Sequence, residues 1–150
     1  MLKEKLNQDL KVALLSGDKE RATTLRGLKS VILYAEVAAG KREQGLEDQE
    51  ILVLFAKEVK KRQESADLYE KGGKPELAAK ELAEKALIEQ YLPAQMSDEE
   101  LNKIIDTVLA GFPERTPQIM GQVIGRVKAE AQGSADGTRI AHMVKERLSN

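Results

Sequence analysis

At 150 residues, with 24 basic against 25 acidic side chains and a net charge of −1, the chain fits one or two compact domains and has no overall charge with which to grip nucleic acid. The absence of Cys excludes disulfides, thiolate metal sites and thiol chemistry, and 3 % aromatics leave little for sheet cores or base-stacking platforms. No apolar run approaches the roughly 18 residues of a membrane span, and the opening MLKEKLNQDLKVAL lacks a signal-peptide h-region, so a cytoplasmic location with no membrane role is expected.

The strong helix formers Ala, Leu, Glu, Lys, Gln and Arg dominate, and seven helices can be read in chain order. The first spans about Leu2 to Ser16 on a Leu2, Leu6, Leu10, Leu14 stripe, with Gly17 as its stop. Asp18 caps a second helix to about Ala39, whose stripe is Leu25, Leu28, Ile32 and Ala35. After a loop from Gly40 to Glu47, a third runs from about Asp48 to Lys71 with Ile51, Leu54, Phe55, Val59, Ala66 and Tyr69 inward. Gly72-Gly73 breaks it, and Pro75 suits an early position of the fourth, which ends before Pro93.

Residues 93–96 look like a joint. Ser97-Asp98-Glu99-Glu100 is a capping box opening the fifth helix, with Leu101, Ile104, Ile105, Val108 and Leu109 inward and Gly111 at its end. Thr116-Pro117 starts the sixth, on Met120, Val123, Ile124 and Val127, closed by Gly133. Asp136 caps the last, on Ile140, Met143, Val144 and Leu148. The expected fold is therefore all-α: an N-terminal helical-hairpin domain of about four helices over residues 1–95, then a C-terminal three-helix bundle over residues 97–150.

No catalytic residue is assigned. Nucleophilic catalysis needs a nucleophile beside a base, and the single His, His142, falls opposite the Ile140–Val144–Leu148 stripe, where it should face water. Gly72-Gly73 runs into Lys74-Pro75, without the spacing or hydroxyl of a phosphate loop. Gly121 and Gly125 are read as room for a neighbouring helix to approach. No cofactor or metal is expected.

Charges on the apolar stripes are the most informative feature. Arg21 falls on the stripe of the second helix, Glu58 and Arg62 on that of the third, and Glu81 and Glu84 on that of the fourth, within Leu77, Glu81, Glu84, Ile88, Tyr91. Charges are rarely buried unless paired, so these five are read as one interhelical ion-pair network that fixes register. Interleaved arginines and the lack of a His co-ligand argue against a carboxylate metal site. Separately, Lys57, Lys60, Lys61 and Lys71 lie on polar faces of the third helix, and Arg126, Lys128, Arg139, Lys145 and Arg147 on the tail piece.

Arg21, Thr24-Leu25-Arg26 and Leu28-Lys29-Ser30 resemble the first motif of the YqeY family. Lys61-Arg62-Gln63-Glu64-Ser65, with Tyr69, Lys80-Glu81, Glu84 and Tyr91-Leu92-Pro93, resembles its long central motif. Met120-Gly121 through Gly125, then Ala135-Asp136-Gly137, resembles its tail motif. The family's C-terminal part is similar to the tail domain of the B subunit of glutamine-dependent Asp/Glu-tRNA amidotransferase. Ser134 stands where the family usually has Arg, which removes one cation from the expected tRNA contact, and Gly73-Lys74 replaces a Gly-Arg.

The resemblance implies a helical domain plus a three-helix tail, and an association with carbon–nitrogen ligase activity using glutamine as amido-N donor. Glutamine hydrolysis and carboxylate phosphorylation belong to other domains of the full enzyme, so what transfers is the tail's contact with the tRNA body. The expected function is thus a tRNA-binding accessory without its own catalytic centre. Candidate RNA contacts are Arg126, Lys128, Arg139, Lys145, Lys60 and Lys61. The alternative is a protein–protein adaptor sharing the fold. The expected partner is tRNA or a protein of tRNA amidation or translation, with no DNA.

Overall fold

The computed structural model describes residues 1–149, so Asn150, the last residue of the expected tail bundle, lies outside the described residues. The chain is all-α, with seven α-helices, one short 3-10 turn and no strand among the described residues. It divides into two compact units, Met1–Leu92 and Pro93–Asn150.

The first unit holds α1 (Leu2–Ser16), α2 (Lys19–Ala38), α3 (Asp48–Lys71) and α4 (Pro75–Glu89). Its boundaries follow local chemistry. Gly17 takes the left-handed conformation (φ 77°) that ends α1, and the Asp18 carboxylate accepts the Arg21 N–H at 3.1 Å to cap α2. Glu47 and Glu50 form the capping box of α3. Pro75 opens α4, where its missing N–H costs no hydrogen bond.

Leu6, Leu25, Leu28, Ile32, Ile51, Phe55 and Ile88 fill the core of this unit. Two expected core positions are corrected. Leu14 and Leu77 face solvent, and the neighbouring Ala13 and Ala78 are buried instead. Leu2, Leu6 and Leu10 on α1, Ile88 on α4 and Tyr91 just beyond it keep the expected face. Only one end of each stripe steps by a residue, to Ala13 and Ala78, because at 3.6 residues per turn a spacing of three stays on the buried face as well as a spacing of four.

The second unit holds α5 (Asp98–Ala110), a 3-10 turn (Pro117–Ile119), α6 (Met120–Ala131) and α7 (Gly137–Ser149). The Ser97 hydroxyl accepts the Glu100 N–H, and Glu100 accepts the Ser97 N–H, both at 3.1 Å. The sixth helix starts where expected but as a 3-10 turn, and Gln132 already takes the left-handed conformation (φ 49°) before Gly133 (φ 83°). Leu101, Ile105, Leu109, Val123, Val127, Ile140 and Val144 make a wholly apolar core. Gly121 and Gly125 have no neighbouring side chain against them, so the expected close helix approach there is not found.

Candidate functional site

The densest polar arrangement lies between α3 and α4. Glu58 and Arg62 share a face of α3 at a spacing of four, Glu81 and Glu84 share a face of α4 at a spacing of three, and the helices pack against each other. The Arg62 guanidinium lies 4.0 Å from Glu58, 3.7 Å from Glu81 and 3.4 Å from Glu84. Its side chain is only 28 % exposed. None of the three contacts has hydrogen-bond geometry: Arg62 Nε and Glu81 Oε2 are buried atoms without a hydrogen-bond partner. The cluster is held by Coulomb attraction across a loose gap, not by a bidentate fork.

Arg21 does not join it. It stands in the first turn of α2, at the end of the unit where the Tyr91 phenol and Asp9 meet, away from the middle of α3. The expected five-residue network is therefore a four-residue cluster plus a separate contact. Among the described residues no group of three His, Cys, Asp or Glu side chains could hold a metal ion.

Of two buried polar anchors, one was not expected from the sequence, and the other was expected on a buried stripe but without its hydrogen-bond partner. Glu36 is 3 % exposed. It accepts the Lys3 ammonium at 2.8 Å and the Leu46 N–H at 2.9 Å, tying α1 and the 40–47 loop to α2. The Lys3 hydrogen bond, aided by Leu46, holds its carboxyl below the ordinary range against the opposing effect of burial. Its spacing of four from Ile32 and eleven from Leu25 put it on the core stripe, which was the available signal. Tyr91 is the second: its hydroxyl donates to Asp9 at 2.5 Å, and its ring meets Phe55 edge-on at 5.9 Å. Burial pushes its phenol well above the ordinary value, and the Asp9 carboxylate adds to that.

The candidate RNA contacts are scattered. Lys60 and Lys61 are exposed on α3, where Lys61 reaches Glu58 at 3.4 Å. In the second unit Arg139 is bound to Asp98 at 2.5 Å, and Arg147 pairs with Asp106. Arg126 lies over the Phe112 ring at 4.9 Å, and Lys128 extends its ammonium over Gly137 at the start of α7. Arg126, Lys128 and Lys145 are exposed, with no acidic partner among the described residues. His142 is exposed and lies 3.2 Å from Glu146 on its own helix.

Apolar exposure is one-sided. Among the described residues every strongly exposed large apolar side chain, Leu15, Tyr34, Val37 and Leu68 included, belongs to residues 1–92.

Residues 3–148 match the sequence model of Yqey-like proteins. The chain is similar to altered inheritance of mitochondria protein 41, mitochondrial, of Kluyveromyces lactis, with 31 % identity over 81 % of this chain and 66 % of the relative. The proteins of the same name in Eremothecium gossypii (36 % over 59 % and 48 %) and Vanderwaltozyma polyspora (29 % over 73 % and 60 %) are also similar. The chain thus spans between about half and two thirds of the length of these relatives. Their names correct the expected cytoplasmic location: the relatives are mitochondrial proteins. That no helix is long and apolar enough to cross a membrane does not bear on compartment.

Proposed function

The chain belongs to the YqeY-like family, and from that premise we propose that it is a non-catalytic accessory of tRNA amidation or translation, held to that machinery by protein contact through residues 1–92. The tail motif's resemblance to the amidotransferase tail supports the context. The observation that carries the mode of action is the one-sided exposure: Leu33, Tyr34, Val37, Leu68 and Leu82 stand in solvent on one unit, and among the described residues no large apolar side chain does so on the other. Charge agrees. Residues 1–92 carry 17 basic and 17 acidic side chains and residues 93–150 carry 7 and 8, so neither unit has the excess that drives phosphate binding.

The test is a pull-down from lysate with and without ribonuclease. A protein partner that survives ribonuclease is the expected result, and capture of RNA alone overturns the reading. The purified chain should release no ammonia from glutamine above a no-protein control.

A second reading, tRNA contact by the tail, is favoured by the exposed cations Arg126, Lys128 and Lys145. Arg139 is already engaged by Asp98, and Phe112, the tail's one aromatic, is covered on one face by Arg126. Binding through three such cations would read phosphates and shape rather than bases, with a salt slope of only about −3. Reversing Arg126 and Lys128 together should weaken different tRNAs about equally. No binding even at low salt removes this reading.

A further inference from the structure

Helix α2 has one face with no partner inside its unit. Arg26, Ser30, Leu33 and Val37 fall on a single stripe at spacings of four, three and four, flanked by Lys29 on one side and Tyr34 on the other. All six are exposed: Leu33 is 44 %, Tyr34 74 % and Val37 55 % open to solvent. Beside the stripe, Lys29, Ser30 and Leu33 border a cleft of about 290 Å³ between α1 and α2.

Charge decides what this face suits. From Arg21 onward the only acid on α2 is Glu36, which is buried and neutralised by Lys3. The exposed part of the face on α2 therefore carries cations alone: among the described residues Arg26 and Lys29 have no acidic partner. An apolar edge at one end and two free cations at the other repel a basic ligand and match a ligand with apolar residues beside carboxylates. The stripe from Arg26 to Val37 covers twelve residues, about 16 Å of helix from end to end, which is about three turns.

The geometry points to α2 as the docking site for an acidic amphipathic helix of a partner protein, whose apolar residues at i, i+3 or i+4, and i+7 pack on Leu33, Tyr34 and Val37 while its carboxylates meet Arg26 and Lys29. This rests on the reading of residues 1–92 as a protein-binding unit and names the partner's chemistry.

The experiment uses the full chain and two labelled synthetic helices with the same Leu stripe, one with Glu and one with Lys beside it, followed by fluorescence anisotropy. The Glu helix should bind at least about tenfold tighter than the Lys helix. Val37→Asp should abolish that binding, Lys29→Glu, which leaves the face with no net charge, should remove the preference, and Leu68→Asp, on α3, should change nothing. All three substitutions are at exposed positions, and circular dichroism checks that the helices persist. Equal binding of both helices, binding of neither, or insensitivity to Val37→Asp overturns the site. So does a dimer in sedimentation that Val37→Asp dissolves, which assigns the face to a second copy. A ribonuclease-resistant partner that Val37→Asp still captures sinks the α2 site but leaves the adaptor reading standing. With no such partner for the wild type, the adaptor reading itself falls.

Discussion

Residues 93–149 obey the simple rule of an amphipathic bundle: the buried side chains of α5, α6 and α7 are apolar, and among the described residues no large apolar side chain is strongly exposed there. Residues 1–92 break that rule in both directions. They bury Glu36 and Glu58 and hold Arg62 mostly inside, while Leu15, Tyr34 and Val37 stand in water. Sequences tend to break local rules where something besides stability is selected, and the contrast is what supports the proposal of a binding role for the first unit. The second unit is specified by pattern and capping alone.

The comparison can be sharpened by substitution, beginning with the largest effect. Ile105→Ala empties a fully buried site in the apolar bundle and should cost about 3–4 kcal/mol. Hydrogen exchange should locate the loss in α5, α6 and α7. Arg62→Ala should cost about 3 kcal/mol by leaving Glu81 and Glu84 without their cation and Glu58 with Lys61 alone, the low end for buried pairs because the side chain keeps some solvent. Faster exchange in α3 and α4 is the expected readout; an unchanged urea midpoint would remove the cluster from the list of stabilising features.

Glu36→Gln should cost about 1–2 kcal/mol, since the ion pair with Lys3 becomes a hydrogen bond from the ammonium to an uncharged amide oxygen. The Glu36 pKa is lowered in the fold, so its contribution is complete above the ordinary value of 4.5 and is lost as pH falls from there through the folded value. The difference in urea midpoint between wild type and Glu36→Gln should therefore be full at pH 7 and close in acid. Ser97→Ala removes the α5 cap and should cost about 1 kcal/mol. The smallest effect belongs to His142→Ala, which should stay within about 0.5 kcal/mol because the ring is exposed. A larger loss would mean that the surface of the second unit is less inert than its pattern indicates.

Most helix boundaries were legible because glycines, prolines and caps mark them: Gly17, Asp18, Pro75 and Ser97 act where they were expected to. Core membership was legible wherever large side chains carried it, and failed at Leu14 and Leu77, where adjacent alanines took the buried places. The Glu58, Arg62, Glu81, Glu84 cluster was legible because charge on an apolar stripe needs a partner. Arg21 was not, because periodicity gives the face of a residue but not the height at which helices cross. The exposed apolar edge of α2 was missed for a related reason: Leu33, Tyr34 and Val37 lie on a second stripe, about 90–180° from Leu25, Leu28 and Ile32.

The hydrogen bond from Tyr91 to Asp9 spans 82 positions of sequence and bears on how the protein is made. On the ribosome the first three helices emerge before the residue that fastens α1 from the far end, so the first unit cannot close until its last turn has left the exit tunnel. Contacts of such long range slow folding, whereas the helices of the second unit meet their neighbours soon after synthesis. A nascent chain arrested short of Tyr91 would have its early helices but no closed first unit. During that interval its unfinished core is open to proteases and chaperones.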